Sequence, residues 1–351
     1  MNKTEIQYHA DFDQHELVEL CRNDQLTAII AVHNSNLGPA VGGCRMYPYA
    51  TEQDALKDVL RLSRGMTYKS ALAGLPLGGG KSVIIGDPRV DKSRDLLLAM
   101  GEFIDSLSGR YVTAEDSGTS VADMAIMAER TKYVSGVLAD DQYGGDPSPY
   151  TAYGVLVGIR EAVRHRCNTD LKGIRIAIQG AGNVGYHLTR MLLEDGAKVS
   201  VADVSEANLD RATALGAEVI PVKDVLKAEV DVLVPCAMGG VINEDSVPDI
   251  RAGIVAGAAN NQLATRDMGH ALLDRGILYA PDYVINAGGI IDVFYQQRGE
   301  HSRDKVVAHV ERIGETLGNI FRESDLARIG THEVADRMAE AVFLPAAREV
   351  A

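Results

Sequence analysis

The sequence predicts an α/β protein of two domains, the second built on a doubly wound parallel sheet. Three observations carry this prediction: an alternating series of short apolar strands and helices from residue 174 onward, a shorter α/β series before residue 140, and between them the turn-rich stretch Asp140-Asp-Gln-Tyr-Gly-Gly-Asp-Pro-Ser-Pro149. The domains are therefore expected at 1–145 and 146–329, and part of the helical segment 330–351 can cross back onto the first.

In the first domain, Ala55, Val59, Leu60 and Leu62 recur near helical spacing over 54–73, and Gly74 and Pro76 stop the run. A strand is predicted over 82–85, a helix over 93–107 and a strand over 110–114; Ser120 and Asp123 then have the form of a capping box opening a helix. A helix over 151–164 begins the second half. Its strands are predicted over 174–179, 198–202, 231–235, 254–257 and 277–280, each short, apolar and bounded by turn residues, as buried parallel strands are.

Composition excludes several classes. With 46% hydrophobic and 24% charged residues among 351, the chain is globular and can fill two cores. A formal charge of -14 repels polyanions, so neither nucleic acid nor an anionic membrane is an expected partner. Cys21, Cys44, Cys167 and Cys236 lack CxxC spacing, which argues against a disulfide framework or a zinc site. Residues 1–16 contain no apolar run suited to a signal peptide and no segment is long enough to span a bilayer, so a cytoplasmic protein is expected. The nine histidines show neither HxxxH nor HExxH spacing; no metal site is expected, and metal-dependent hydrolysis lacks a ligand set.

The strand ending at Gln179 runs straight into Gly180-Ala-Gly182-Asn183-Val184-Gly185 and a helix. This is the dinucleotide fingerprint in its proper context. Gly180 serves the tight turn, Gly182 the approach of the pyrophosphate, Gly185 the packing of helix on strand, and the helix N-terminus offers N–H groups to phosphate. Asp203 ends the next strand, where it would bind the ribose hydroxyls and repel a 2′-phosphate. The second domain is thus expected to be of Rossmann type and to prefer NAD to NADP.

Lys69 lies near the end of the first helix, Lys81 follows Gly78-Gly-Gly80, and Asp116 lies just past a strand end, where open α/β sheets put their ligands. Taken singly, a lysine is usually solvated and an aspartate at that position usually opens a turn. Together, two amines and a carboxylate around a glycine-lined cleft suit a zwitterionic amino acid whose C–N bond is oxidised. One amine can hold the substrate carboxylate while the other polarises a developing carbonyl and helps activate water.

At these residues the chain resembles the Glu/Leu/Phe/Val dehydrogenase family, in its short branch of leucine, valine and phenylalanine dehydrogenases. The resemblance spans nearly the whole chain and rests on Leu37-Gly-Pro-Ala-Val-Gly-Gly43, Gly65-Met-Thr-Tyr-Lys69, Leu77-Gly-Gly-Gly-Lys81, Thr113-Ala-Glu-Asp116, Pro147-Ser-Pro-Tyr-Thr-Ala-Tyr-Gly154, Ala258-Ala-Asn-Asn-Gln262 and Pro281-Asp-Tyr-Val-Ile-Asn-Ala-Gly-Gly289. It implies that Lys69 binds the substrate carboxylate, helped by Gly42 and an amide of Asn260 or Asn261, that Lys81 is the catalytic lysine, and that Asp116 shuttles the proton. It also implies that Thr151, Cys236, Ala237 and Asn260 meet the nicotinamide half of NAD, with the active site in the cleft between the domains.

The family's side-chain pocket maps onto Val41, Met66, Ala114, Ile290 and Val293, all apolar, so an apolar L-amino acid is expected, branched-chain before aromatic. The products would be the 2-oxo acid, ammonia and NADH, made by a homo-oligomer, a dimer or higher. Asp292 and Ser117 depart from the family pattern, Asp292 by placing a charge beside the pocket wall. The competing readings are an aromatic amino-acid dehydrogenase and a catalytically silent NAD-binding sensor; retention of Lys69, Lys81 and Asp116 together argues against the sensor.

Overall fold

The computed structural model describes residues 6–136 and 146–344. The turn-rich stretch expected over 140–149 therefore lies, as far as residue 145, outside the described residues. The chain forms two compact units: Met1–Gly145 with Gln296–Glu300 and Ala339–Ala351, and Asp146–Tyr295 with His301–Met338.

In the first unit, β1 (Leu17–Arg22), β2 (Thr27–Asn34), β3 (Ala40–Tyr47), β4 (Gly78–Ile85) and β5 (Tyr111–Glu115) form one sheet in the order β1-β2-β4-β3-β5. The pairs β1–β2 and β2–β4 are antiparallel, whereas β4–β3 and β3–β5 are parallel. Side chains alternate between the two faces of such strands, which sorts the sheet into two cores. On one face lies α1 (Glu52–Leu72), opened by a capping box between Thr51 and Asp54, with Ala55, Leu56, Val59 and Leu60 against Ile29, Ala31 and Val83. The other face is covered by α2 (Arg94–Ser106) and α3 (Val121–Met127), whose Leu97, Met100, Ile104 and Met124 meet Ile30, Cys44, Ile84 and Tyr111. The capping box expected from Ser120 and Asp123 opens α3.

The sequence reading starts β4 too late. Gly78, Gly79 and Gly80 are strand residues, so Lys81 sits inside β4. Packing explains the glycines: a Cβ on Gly79 would fall 2.2 Å from the Thr67 backbone nitrogen in α1, and one on Gly80 would fall 2.6 Å from the Tyr111 ring. The strand reads only from Ser82 because an unpacked chain shows no reason for three glycines in a strand.

The second unit begins with α4 (Ser148–Cys167) and carries β6 (Arg175–Gln179), α5 (Asn183–Glu194), β7 (Lys198–Ala202), α6 (Glu206–Ala214), β8 (Glu218–Val219), β9 (Val232–Pro235), β10 (Ile254–Val255), α7 (Asp267–Asp274) and β11 (Leu278–Tyr279). Short α8 (Asp282–Ile285) is followed by α9 (Gly288–Gln297), α10 (Arg303–Ala327) and α11 (Thr331–Phe343). The sheet order is β11-β10-β9-β6-β7-β8, all parallel, so successive strands leave β6 in opposite directions and create a switch point between β6 and β9. This is the Rossmann-type doubly wound sheet. Among the described residues no helix is long and apolar enough to cross a membrane.

One buried histidine sets a pH limit on the first unit. His15 Nδ1 accepts from the Asp13 backbone at 3.1 Å, and its Nε2 lies 3.1 Å from both the Leu60 carbonyl and Ser63 Oγ, an arrangement suited to the neutral ring. Burial, and then the neighbouring His33, lowers its pKa to about 4. The unfolded chain takes up this proton first, so stability present above about pH 6.5 should fall by about 3 kcal/mol as pH drops towards 4. Urea midpoints measured across this range should show the slope, and His15→Gln should flatten it; an unchanged slope in that variant would assign the titration elsewhere.

Candidate active site

Lys81 and Asp116 meet because three parallel strands place them on one face. Pairing of Val41 with Gly79 and of Cys44 with Ser82 sets Gly43 beside Lys81, and on its other side β3 pairs Gly43 with Ala114. Alternation then puts Val41, Gly43 and Arg45 of β3, Lys81 of β4, Ala114 of β5 and the following Asp116 on the face covered by α1. Gly43 makes the meeting possible, since a Cβ there would lie 2.7 Å from Asp116 Cβ. Lys81 Nζ forms an ion pair with Asp116 Oδ2, with the lysine side chain 7% exposed and the carboxylate 13%.

The carboxylate is held from several sides. Its Oδ1 accepts from the Ser117 backbone at 2.5 Å and lies 3.6 Å from Arg45 Nη2; the Asp116 backbone N–H donates to Thr119 Oγ1, which itself donates to the Cys44 carbonyl at 2.8 Å. Arg45 is fixed in turn by Asp58 at 2.9 Å, and Tyr49 donates to the same carboxylate oxygen at 2.7 Å. Burial acts to raise the Asp116 pKa, but the Lys81 and Arg45 charges and the Ser117 N–H overcome it and hold the carboxyl well below the usual carboxylate range. Asp116 is thus ionised at neutral pH and able to accept a proton. Sequence reasoning missed Arg45, Asp58 and Thr119, whose spacing from Asp116 carries no signal; Gly43 lay in a quoted motif without its role being read.

Gly42 and Val41 are buried in β3, where a Cβ on Gly42 would lie 1.8 Å from the Gly80 carbonyl oxygen. Met66 and Lys69 lie one helical turn apart near the end of α1, both half-buried, and Ala114 is half-buried near the end of β5. The first unit therefore supplies Lys69, Lys81, Asp116, Gly42, Val41, Met66 and Ala114. The remaining predicted site residues belong to the second unit.

There, Gly180 has φ 98 and its Cβ would lie 2.9 Å from that of Ala237, while a Cβ on Gly185 would strike the Gly180 carbonyl oxygen at 2.0 Å. Gly182 differs: a Cβ there would meet no protein atom within 4 Å, so the chain's own packing does not require glycine at this position. Gly182 is the N-cap of α5 and gives it no side-chain cap, leaving N–H groups at the start of the helix, where Asn183 is exposed and Val184 half-buried. These features fit a dinucleotide pyrophosphate. Asp203 accepts from the Ala181 N–H at 2.7 Å and the Ser205 N–H at 2.8 Å, so it braces the glycine turn as well as ending β7. Arg211, the first arginine after it, stacks on Tyr186 at 4.2 Å.

Cys236 follows β9, its N–H donating to the Gln179 carbonyl at 2.7 Å; burial pushes its thiol up to about 12, which keeps it protonated. Asn260 is exposed and Asn261, with φ 51, half-buried, on a turn fixed where Gln262 N–H donates to Asp282 and Asn286 donates to Asn260 Oδ1 at 2.8 Å. Thr151 packs against Gly289, where a Cβ would lie 2.6 Å from Thr151 Oγ1, and Ile290 and Val293 follow one turn apart on α9, half-buried. Asp292 is 1% exposed and faces His301 Nε2 at 2.9 Å, so the charge expected beside the pocket wall is answered by an imidazole within the same unit.

Comparison with known proteins identifies the family. Residues 16–133 match the model of the Glu/Leu/Phe/Val dehydrogenase dimerisation domain, and residues 146–211 and 202–323 match that of glutamate/leucine/phenylalanine/valine dehydrogenase. The chain is 46% identical over 339 residues to a leucine dehydrogenase of Geobacillus stearothermophilus, covering 95% of this chain and 92% of that one. It is 48% identical over 340 residues to a valine dehydrogenase of Streptomyces virginiae, covering 95% of each. The crystal structure of L-tryptophan dehydrogenase from Nostoc punctiforme superposes with a TM-score of 0.78 at 42% identity, covering 94% of this chain and 95% of that one. With both units matched in order and most of its length aligned, the chain belongs to the Glu/Leu/Phe/Val dehydrogenase family.

Proposed function

We infer that the chain catalyses the NAD-dependent oxidative deamination of an apolar L-amino acid, and the reverse reductive amination, with Lys81 and Asp116 as the catalytic pair. The observation that carries this reading is the buried Lys81–Asp116 ion pair, assembled over Gly43 on one face of the mixed sheet, where β3, β4 and β5 run parallel. Amino acid, water and NAD would yield 2-oxo acid, ammonium, NADH and a proton. NAD supplies the hydride acceptor when bound, held by Gly180, Gly182, Asn183, Val184, Gly185 and Asp203, with Thr151, Cys236, Ala237 and Asn260 serving its nicotinamide half.

In the substrate half, Lys69 binds the carboxylate with Gly42 and Asn261. Ionised Asp116 takes a proton from the substrate ammonium, releases it to solvent, and, ionised again, accepts a proton from the water that attacks the imine. The Lys81 charge stabilises negative charge developing on the carbinolamine oxygen. The resemblance to the family assigns Val41, Met66 and Ala114 of the first unit and Ile290 and Val293 of the second to the substrate side chain, and with no cation among them a glutamate side chain would be buried unpaired at a cost of several kcal/mol, on the order of that for any lone buried charge. Aliphatic lining favours leucine, valine or isoleucine. Likeness to the tryptophan enzyme makes an aromatic substrate the second reading. The matched dimerisation domain supports a homo-oligomer of dimer or higher order.

NADH formation from NAD and each common L-amino acid tests the assignment: branched-chain turnover is expected, preference for phenylalanine or tryptophan would overturn the pocket, and tight NADH binding without turnover would favour a sensor. Lys81→Ala should abolish turnover while NADH affinity, measured by fluorescence titration, stays nearly intact; full activity would remove Lys81 from the mechanism. Asp203→Ser should weaken NAD and narrow the gap to NADP, seen in the two kcat/KM values. An unmoved ratio would mean that Asp203 only braces the glycine turn.

A further inference from the structure

We propose that His270, His332 and Glu333 bind one divalent transition-metal ion of the zinc type in the second unit. Each offers one donor atom and the three donors lie within 4.8 Å of one another. His270 Nε2 and Glu333 Oε1 stand 3.3 Å apart, close to the edge of about 3.3–3.4 Å that follows from tetrahedral zinc with nitrogen and oxygen ligands near 2.0–2.1 Å.

His332 gives the independent sign of a ligand. It is only 6% exposed, yet neither ring nitrogen has a hydrogen-bond partner, a costly state for a buried imidazole. The ring is also tightly seated: a Cβ on Gly269 would lie 2.3 Å from both Cε1 and Nδ1, and one on Gly330 would lie 2.4 Å from Cε1.

The surroundings also favour a cation. Arg266, a nearby positive charge, is committed to an ion pair with Asp336, and Asp267 Oδ1 adds negative charge 4.0 Å from His270 Nδ1. Two imidazoles and one carboxylate suit Zn²⁺, Co²⁺ or Ni²⁺ rather than Mg²⁺ or Ca²⁺. Water would complete the coordination. His270 rides on α7, while His332 and Glu333 open α11, so the ion would tie these helices together beside the β11 edge of the sheet. Their distance apart in the chain hid the set from motif reading, which expected no metal.

The test is Zn²⁺ titration of the full-length, chelator-treated protein by calorimetry, with Co²⁺ absorption as a second probe and thermal midpoints recorded with and without Zn²⁺. One equivalent should bind and raise the midpoint, and the Co²⁺ bands should be those of low coordination number. His270→Ala and Glu333→Gln each remove a ligand and should weaken binding by at least about 10- to 100-fold, since even outer residues of metal sites have effects of that size. His270 is exposed, so its variant should fold; matching midpoints of the metal-free proteins would verify this. Absence of stoichiometric binding overturns the site, as does stoichiometric binding unchanged in both variants, which would place the ion elsewhere.

Discussion

The ion pair between Lys81 and Asp116 constrains much of the first unit. Burying a carboxylate and an ammonium is unfavourable unless each has a close partner, and removing one leaves the other uncompensated at a cost of about 3–5 kcal/mol. The surrounding structure supplies that partnership. Gly43 lets the two side chains converge, Arg45 adds a second positive charge, Asp58 fixes Arg45, and Thr119 locks the turn that carries Asp116. Helix α1 completes the arrangement, since it brings Asp58 in its first half and Lys69 in its last turn to the same face of the sheet. The placement of this ion pair and core packing are therefore not separable here: glycines 79 and 80 admit α1 and Tyr111 at distances that any side chain would prevent.

The second unit solves a different problem. It offers partial positive charge and open backbone rather than full charges. The start of α5 lacks a side-chain cap, Gly182 has no protein neighbour that would forbid a Cβ, and Asp203 holds the turn through the Ala181 N–H. The switch point between β6 and β9 sets Ala237 against Gly180, and Gly239 leaves room for the Asn260 carbonyl, so residues from three loops are drawn to the carboxyl end of one sheet. Loss of Asp203 would therefore disturb the glycine turn that it braces.

Elements with a strong local signature were legible without coordinates. The helix over 54–73, the capping box at Ser120 and the strand–glycine–helix unit at 175–194 each depend on neighbours in sequence, and the structure places them within a few residues of expectation. Strands β1, β2 and β3 had no comparable punctuation and were not read. β4 was read only from Ser82 because glycine has low strand propensity, and its place there is decided by what packs above and below it.

By itself, the amino-acid sequence determined the two-unit α/β plan and the dinucleotide turn and singled out Lys69, Lys81 and Asp116 as candidates, because periodicity, turn chemistry and motif order are properties of neighbouring residues. Tertiary structure alone decided that Gly43 would be the floor on which Lys81 meets Asp116, that Arg45 and Asp58 would hold the carboxylate, that Asp292 would face His301, and that His270 would come beside His332. Those meetings join residues on different strands and helices. Their energies depend on burial and on distances of a few ångströms across the fold, which spacing along the chain does not encode.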